Sequence, residues 1–134
     1  PSHQLRELLD AARNAGAPPT GTWLAVRAVL STFADRIPDD ERQHVFSHLP
    51  ADVVGLAAVP HRRGEAKPRT VPQLIGTVQV VSGLPLSDAT RVTEAVIGTL
   101  RTLVPDETRD VAATLPAELR RLWKTATPAP RTNA

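Results

Sequence analysis

Residues 28–40, Ala28-Val-Leu-Ser-Thr-Phe-Ala-Asp-Arg-Ile-Pro-Asp-Asp40, return later in the chain as Ala95-Val-Ile-Gly-Thr-Leu-Arg-Thr-Leu-Val-Pro-Asp-Glu107. Each stretch runs on to a similar close, Leu49-Pro50-Ala51-Asp52 with Leu56 in the first and Leu115-Pro116-Ala117-Glu118 with Leu122 in the second. The offset is 67 up to Pro38/Pro105 and 66 from Val45/Val111, so the second copy is one residue shorter. Of the 29 aligned pairs from Ala28/Ala95 to Ala57/Trp123, ten are identical, which reads as an internal repeat. A repeat sets the architecture that every other expectation must fit. Each copy alone offers too few apolar helices to close a core, so the two are expected to bury their faces against one another.

Working outward from these stretches, Ser2 is placed to cap a first helix whose apolar positions are Leu5, Leu8, Leu9 and Ala12. Gly16-Ala-Pro-Pro19 ends it, since glycine suits the position after a helix and proline cannot continue one. Thr20 or Thr22 is read as the cap of a second helix with the stripe Trp23, Val26, Val29, Leu30, Phe33 and Ile37. Pro38-Asp39-Asp40-Glu41 opens a third helix, its acids set against the positive helix end, with Val45, Phe46 and Leu49 inward. Pro50 starts a short fourth helix, 51–57.

The second copy follows the same plan. Ser87-Asp88 is read as a cap for a helix with the stripe Val92, Ala95, Val96, Leu100 and Leu103. Asp106-Glu107 opens the next helix, and Pro116 the last, to about Thr125. The contested segment is 71–82. Thr77-Val-Gln-Val-Val81 is β-branched and by propensity favours a strand. Alignment of Ile75 and Val78 with Leu8 and Ala11 favours a helix, and the repeat decides for helix.

Composition narrows the function classes. Cysteine is absent, which excludes disulfides, thiolate metal sites and thiol nucleophiles. No apolar run reaches the roughly 18–20 residues of a membrane span, and no charged-then-apolar leader is present, so a cytoplasmic protein is expected. The opening Pro1-Ser2 fits removal of an initiator methionine, and fourteen Arg against two Lys fits a GC-rich bacterial genome. The sequence pI near 9.9 suggests nucleic acid, yet the charge is local. Residues 61–69 carry four basic side chains and one acidic; without them and Arg131, 11 basic residues face 13 acidic.

The two tandem copies, each an Ala-Val-Leu/Ile-rich helix, a Pro-acid-acid turn and a Leu-Pro-x-acid close, resemble the bacterial domain-of-unknown-function family 2267. Leu115-Pro-Ala-Glu-Leu-Arg-Arg-Leu-Trp123 carries the resemblance best. It covers Trp23–Leu56 and Ser87–Trp123 and extends towards residues 4–124. The first copy departs from it: Val53-Val54-Gly55-Leu56-Ala57 lacks the charged face and the closing aromatic. A basic linker also stands where the resemblance implies an aromatic-rich stretch. What the resemblance implies is an all-helical soluble fold; it implies no reaction.

Three candidate sites stand out. Asp40, His44 and His48 recur at four-residue spacing on one helical face and could hold a divalent metal, although the second copy has Asp110 and Thr114 where the histidines stand. The plainer reading is a solvated polar face. Arg62, Arg63, Lys67 and Arg69 could track phosphates, against the plainer reading of a solvated linker. Trp123, beside Arg120, Arg121 and Lys124, could anchor a partner, although both Trp23 and Trp123 lie on apolar stripes and by default belong to the core. Catalytic signatures are lacking: there is no Gly-x-Ser-x-Gly, no P-loop and no dinucleotide fingerprint.

The expectation is therefore an all-α fold: two pseudo-symmetric helical repeats, about eight helices, packed as one compact bundle. The single domain 1–134 divides into repeat one (4–57), a flexible basic linker (58–70), repeat two (71–125) and a disordered tail (126–134). The expected function is a non-catalytic protein-interaction or scaffold module with a stress-related setting, binding a protein partner or itself. A nucleic-acid-binding accessory is the alternative, and a metal or small-ligand binder the second alternative. No catalytic residue, cofactor or membrane contact is expected.

Overall fold

A computed structural model describes residues 1–58 and 67–128. Eight α-helices follow in order: α1 (His3–Asn14), α2 (Thr22–Ala34), α3 (Asp39–Phe46), α4 (Ala51–Ala57), α5 (Val71–Ser82), α6 (Leu86–Leu103), α7 (Thr108–Thr114) and α8 (Ala117–Thr125). Among the described residues there is no strand. Their start and stop signals are local. Ser2 caps α1, its Oγ accepting from Leu5 N at 3.1 Å. Thr70 caps α5 in the same way, accepting from Gln73 N at 3.3 Å, and Gly83 ends that helix at φ 76°, a left-handed conformation that glycine adopts without penalty.

The segment 71–82 is thus a helix despite its β-branched run. Leu74, Ile75 and Val78 are buried at helical spacing, whereas Val80 and Val81 lie outside. Packing of that stripe, the cap before it and the glycine after it together outweigh the strand propensity of valine.

Contacts between the helices come in reciprocal pairs. Helix α1 packs on α6, and α5 packs on α2, so the first helix of each half rests on the second helix of the other. Within the halves, α1 meets α2 and α4 as α5 meets α6 and α8, and α2 meets α4 as α6 meets α8. Helix α2 also faces α6, and α3 faces α7. Two surfaces that each contact the other's counterpart are what a two-fold relation generates. The core runs through this arrangement, with Leu5, Leu8, Phe33, Leu74, Ile97, Leu100, Leu119 and Trp123 almost fully enclosed.

Several helix starts differ from expectation. Helix α2 begins after Gly21, preceded by a 3-10 turn at Pro19–Gly21; neither Thr20 nor Thr22 caps it, and the buried Thr22 hydroxyl donates to Pro18 O at 2.9 Å. Helix α6 begins at Leu86, directly after Pro85, so Ser87 and Asp88 occupy its first turn rather than its cap. Asp106 and Glu107 form a 3-10 turn with Pro105, and α7 starts only at Thr108. In each case a proline just ahead of the polar residues fixes the backbone where the helix or turn begins.

At the edges of the expected linker and tail the chain makes contacts with the helices. Lys67 Nζ lies 3.6 Å from Asp35 Oδ1, Pro68 is buried, and Arg69 N donates to Gln73 Oε1 at 2.9 Å. Ala126 is buried, and the backbone of 126–128 lies across Gly98 of α6, where an added Cβ would meet Thr127 C and Pro128 N at 2.7 Å. The remainder of the expected linker, 59–66, and of the expected tail, 129–134, lies outside the described residues.

The acid in each Leu-Pro-Ala-acid close does more than sit at its own helix start. Asp52 Oδ2 accepts from Ser2 N at 2.7 Å, and Oδ1 accepts from Ser2 Oγ at 2.7 Å. Glu118 Oε1 accepts from Val71 N at 2.8 Å. Each acid thereby ties the start of its half's last helix to the start of its first. The backbone N–H of Ser2, followed by its hydroxyl, holds the Asp52 carboxyl below the usual aspartate range. A group whose folded pKa is depressed adds stability above its unfolded pKa and loses it as pH falls through the folded value. Asp52→Ala is therefore expected to lower the thermal midpoint near neutrality, with the gap to the parent closing progressively below about pH 4. Thermal unfolding followed by circular dichroism from neutral to acid pH checks this; a gap of constant size would contradict it.

Candidate functional site

Helix α3 turns two different faces outward. His44, in its last turn, and His48, in the turn that follows the helix, lie on one side, and their rings stand edge to face with centroids 5.4 Å apart. Opposite them lies α7 with the turn that precedes it. That turn delivers Glu107, whose side chain is only 7% exposed although both histidines are about half exposed. His48 Nε2 lies 3.0 Å from Glu107 Oε1, and His44 Nε2 lies 3.9 Å from the same oxygen. One ligand atom from each of the three lies within 4.8 Å of the other two.

The expected triad of Asp40, His44 and His48 is thus corrected at one member. Asp40 is exposed and accepts from the backbone N of Glu41 at 2.9 Å, and it does not belong to the cluster. Glu107 takes its place from the other half. Sequence reading treated Glu107 as a helix-start charge only. The alignment nevertheless held the signal: Glu107 is the residue paired with Asp40, and the packing of α3 against α7 brings it to the histidines.

The other face of α3 borders a groove of about 430 Å³, lined by Arg42, Phe46, Ser47, Val54 and Ala57 among others. Helical spacing puts Arg42 and Phe46 on the side opposite His44 and His48. Arg42 pairs with Asp39 and donates to Ala34 O at 3.3 Å, which closes the end of α2.

Of the two tryptophans, both assigned to the core by their apolar stripes, one is enclosed and one is not. Trp123 is fully enclosed, stacked on Phe33 at a centroid distance of 5.4 Å, with Nε1 donating to Thr108 O at 2.9 Å. It is a core residue and not a surface anchor. Arg120 beside it is engaged, with Nε donating to Ala112 O at 2.9 Å and Nη2 to Leu115 O at 3.0 Å, so it closes the end of α7. Arg121 and Lys124 are exposed. Trp23, expected in the core, is 52% exposed with Leu24 beside it, because in its first turn α2 buries Thr22 and Ala25 and turns the two residues between them outward. Val80 and Leu86 are also outside, at 86% and 63%.

Of the basic stretch, Lys67 is paired with Asp35, Arg69 is exposed, and Arg62 and Arg63 lie outside the described residues. No described helix is long and apolar enough to cross a membrane. Residues 71–134 match the family described as "Uncharacterized conserved protein (DUF2267)". No curated protein matches the chain.

Proposed function

From the match of residues 71–134 to the family DUF2267, we propose a non-catalytic protein-interaction or scaffold module of the bacterial cytoplasm, with a stress-related setting. The observation that supports this reading is the pair of large apolar side chains, Trp23 and Leu24, left exposed on a helix whose remaining apolar face is enclosed. The end of α1 lies against the start of α6, where Arg91 Nε donates to Ala15 O at 3.2 Å. The two-fold counterpart of that contact is the end of α5 against the start of α2. It would bring Val80 and Val81 towards Trp23 and Leu24 and widen them into one apolar patch. Exposed tryptophan in such a patch is the residue type that most often anchors a protein partner.

The test is affinity capture from the native host together with a light-scattering concentration series, run on the parent and on Trp23→Ser. Self-association or a retained partner that weakens at least tenfold in Trp23→Ser, with helicity intact, supports the reading. A chain that stays monomeric and retains nothing overturns it.

A further inference from the structure

We propose that His44, His48 and Glu107 form a binding site for a divalent transition-metal ion, with zinc as the best-suited cation. The donor set is two imidazole nitrogens and one carboxylate oxygen, which suits zinc and its neighbours and not magnesium or calcium. A tetrahedral ion with bonds of about 2.0–2.1 Å sets its ligand atoms about 3.3–3.4 Å apart. The separations of 3.0 and 3.9 Å to Glu107 Oε1 bracket that value, so rotation of exposed imidazoles is enough to complete the geometry.

Burial supplies the second observation. Glu107 is an acid almost fully removed from solvent, and its ion-pair partners among the described residues are these two histidines. A neutral imidazole gives a carboxylate no compensating charge; a bound cation gives it two. The half-exposed histidines leave the outer side of the ion open to water, the arrangement of three protein ligands and one exchangeable position. The ligands also come from both halves, α3 and the turn before α7, so the ion would clamp one half to the other. The site shares no residue with the Trp23 patch and does not depend on the interaction reading.

The experiment is titration of the full chain with zinc sulfate near pH 7.5, followed by calorimetry and by the imidazole NMR signals, with unfolding midpoints measured alongside. One equivalent is expected to move the ring resonances of His44 and His48, leave those of His3 in place and raise the midpoint. His48→Gln and Glu107→Gln should each weaken binding at least tenfold, whereas Asp40→Asn should leave it unchanged. His48 is half exposed, so its substitution tests the ligand without disturbing the core. Absence of stoichiometric binding, or binding that persists in the His44→Gln/His48→Gln double variant, overturns the site.

Discussion

Replacing Trp123 with alanine is expected to cost about 3–5 kcal/mol of folding stability. That is a large part of the 5–15 kcal/mol that holds a typical domain together. The side chain is fully enclosed, stacks on Phe33 of α2 and donates its N–H to Thr108 O, so truncation removes apolar contact and a part-buried hydrogen bond together. Urea unfolding followed by circular dichroism measures the loss. Trp123→Phe separates the two contributions. It keeps a ring against Phe33 and gives up the hydrogen bond, for an expected cost of about 1–3 kcal/mol. A loss under about 1 kcal/mol for the alanine variant would show that the ring does not carry the contact between the halves.

The second large effect is expected at Gly98. Glycine inside a helix ordinarily costs about 0.5–1 kcal/mol relative to alanine, so Gly→Ala usually stabilises. At Gly98 the sign reverses. A methyl group there would meet backbone atoms of 127 and 128 at 2.7 Å and Ala126 O at 2.9 Å, and backbone cannot turn aside as a side chain can. Gly98→Ala is expected to destabilise by about 1–3 kcal/mol and to lift residues 126–128 off α6. The Ala126 methyl resonance would report that displacement. Gly55 and Gly76 serve as controls, since an added Cβ meets nothing within 4 Å at either. Alanine at those two positions should raise stability by about 0.5–1 kcal/mol.

These two residues also mark how far the sequence could be read. Helix positions were legible because their signals are local: the caps at Ser2 and Thr70, the glycine at 83 and the prolines at 50 and 116 act within a few residues. Even α5 was recoverable, since the alignment of Ile75 and Val78 with Leu8 and Ala11 favours the helix that is found there. Which face of a helix meets which neighbour is not a local property. Trp23 lies on a faultless apolar stripe yet falls outside the enclosed layer, and Trp123 lies in a charged helix yet is enclosed.

The candidate site was half legible for the same reason. The histidines stand four residues apart, at the end of one helix and in the turn after it, so their spacing reveals them, whereas Glu107 arrives through packing between α3 and α7. Gly98 gave no signal at all, because its constraint is the path of the chain after α8.

The crossing of α1 onto α6 and of α5 onto α2 has a consequence for synthesis on the ribosome. When Ala57 emerges, the surfaces that α1 and α2 are meant to meet have not yet left the ribosome. The nascent amino-terminal part must therefore wait, greasy side outward, for about thirty to fifty more residues before it can settle. The finished chain is then expected to open and close as one cooperative unit, since releasing either end strips cover from both.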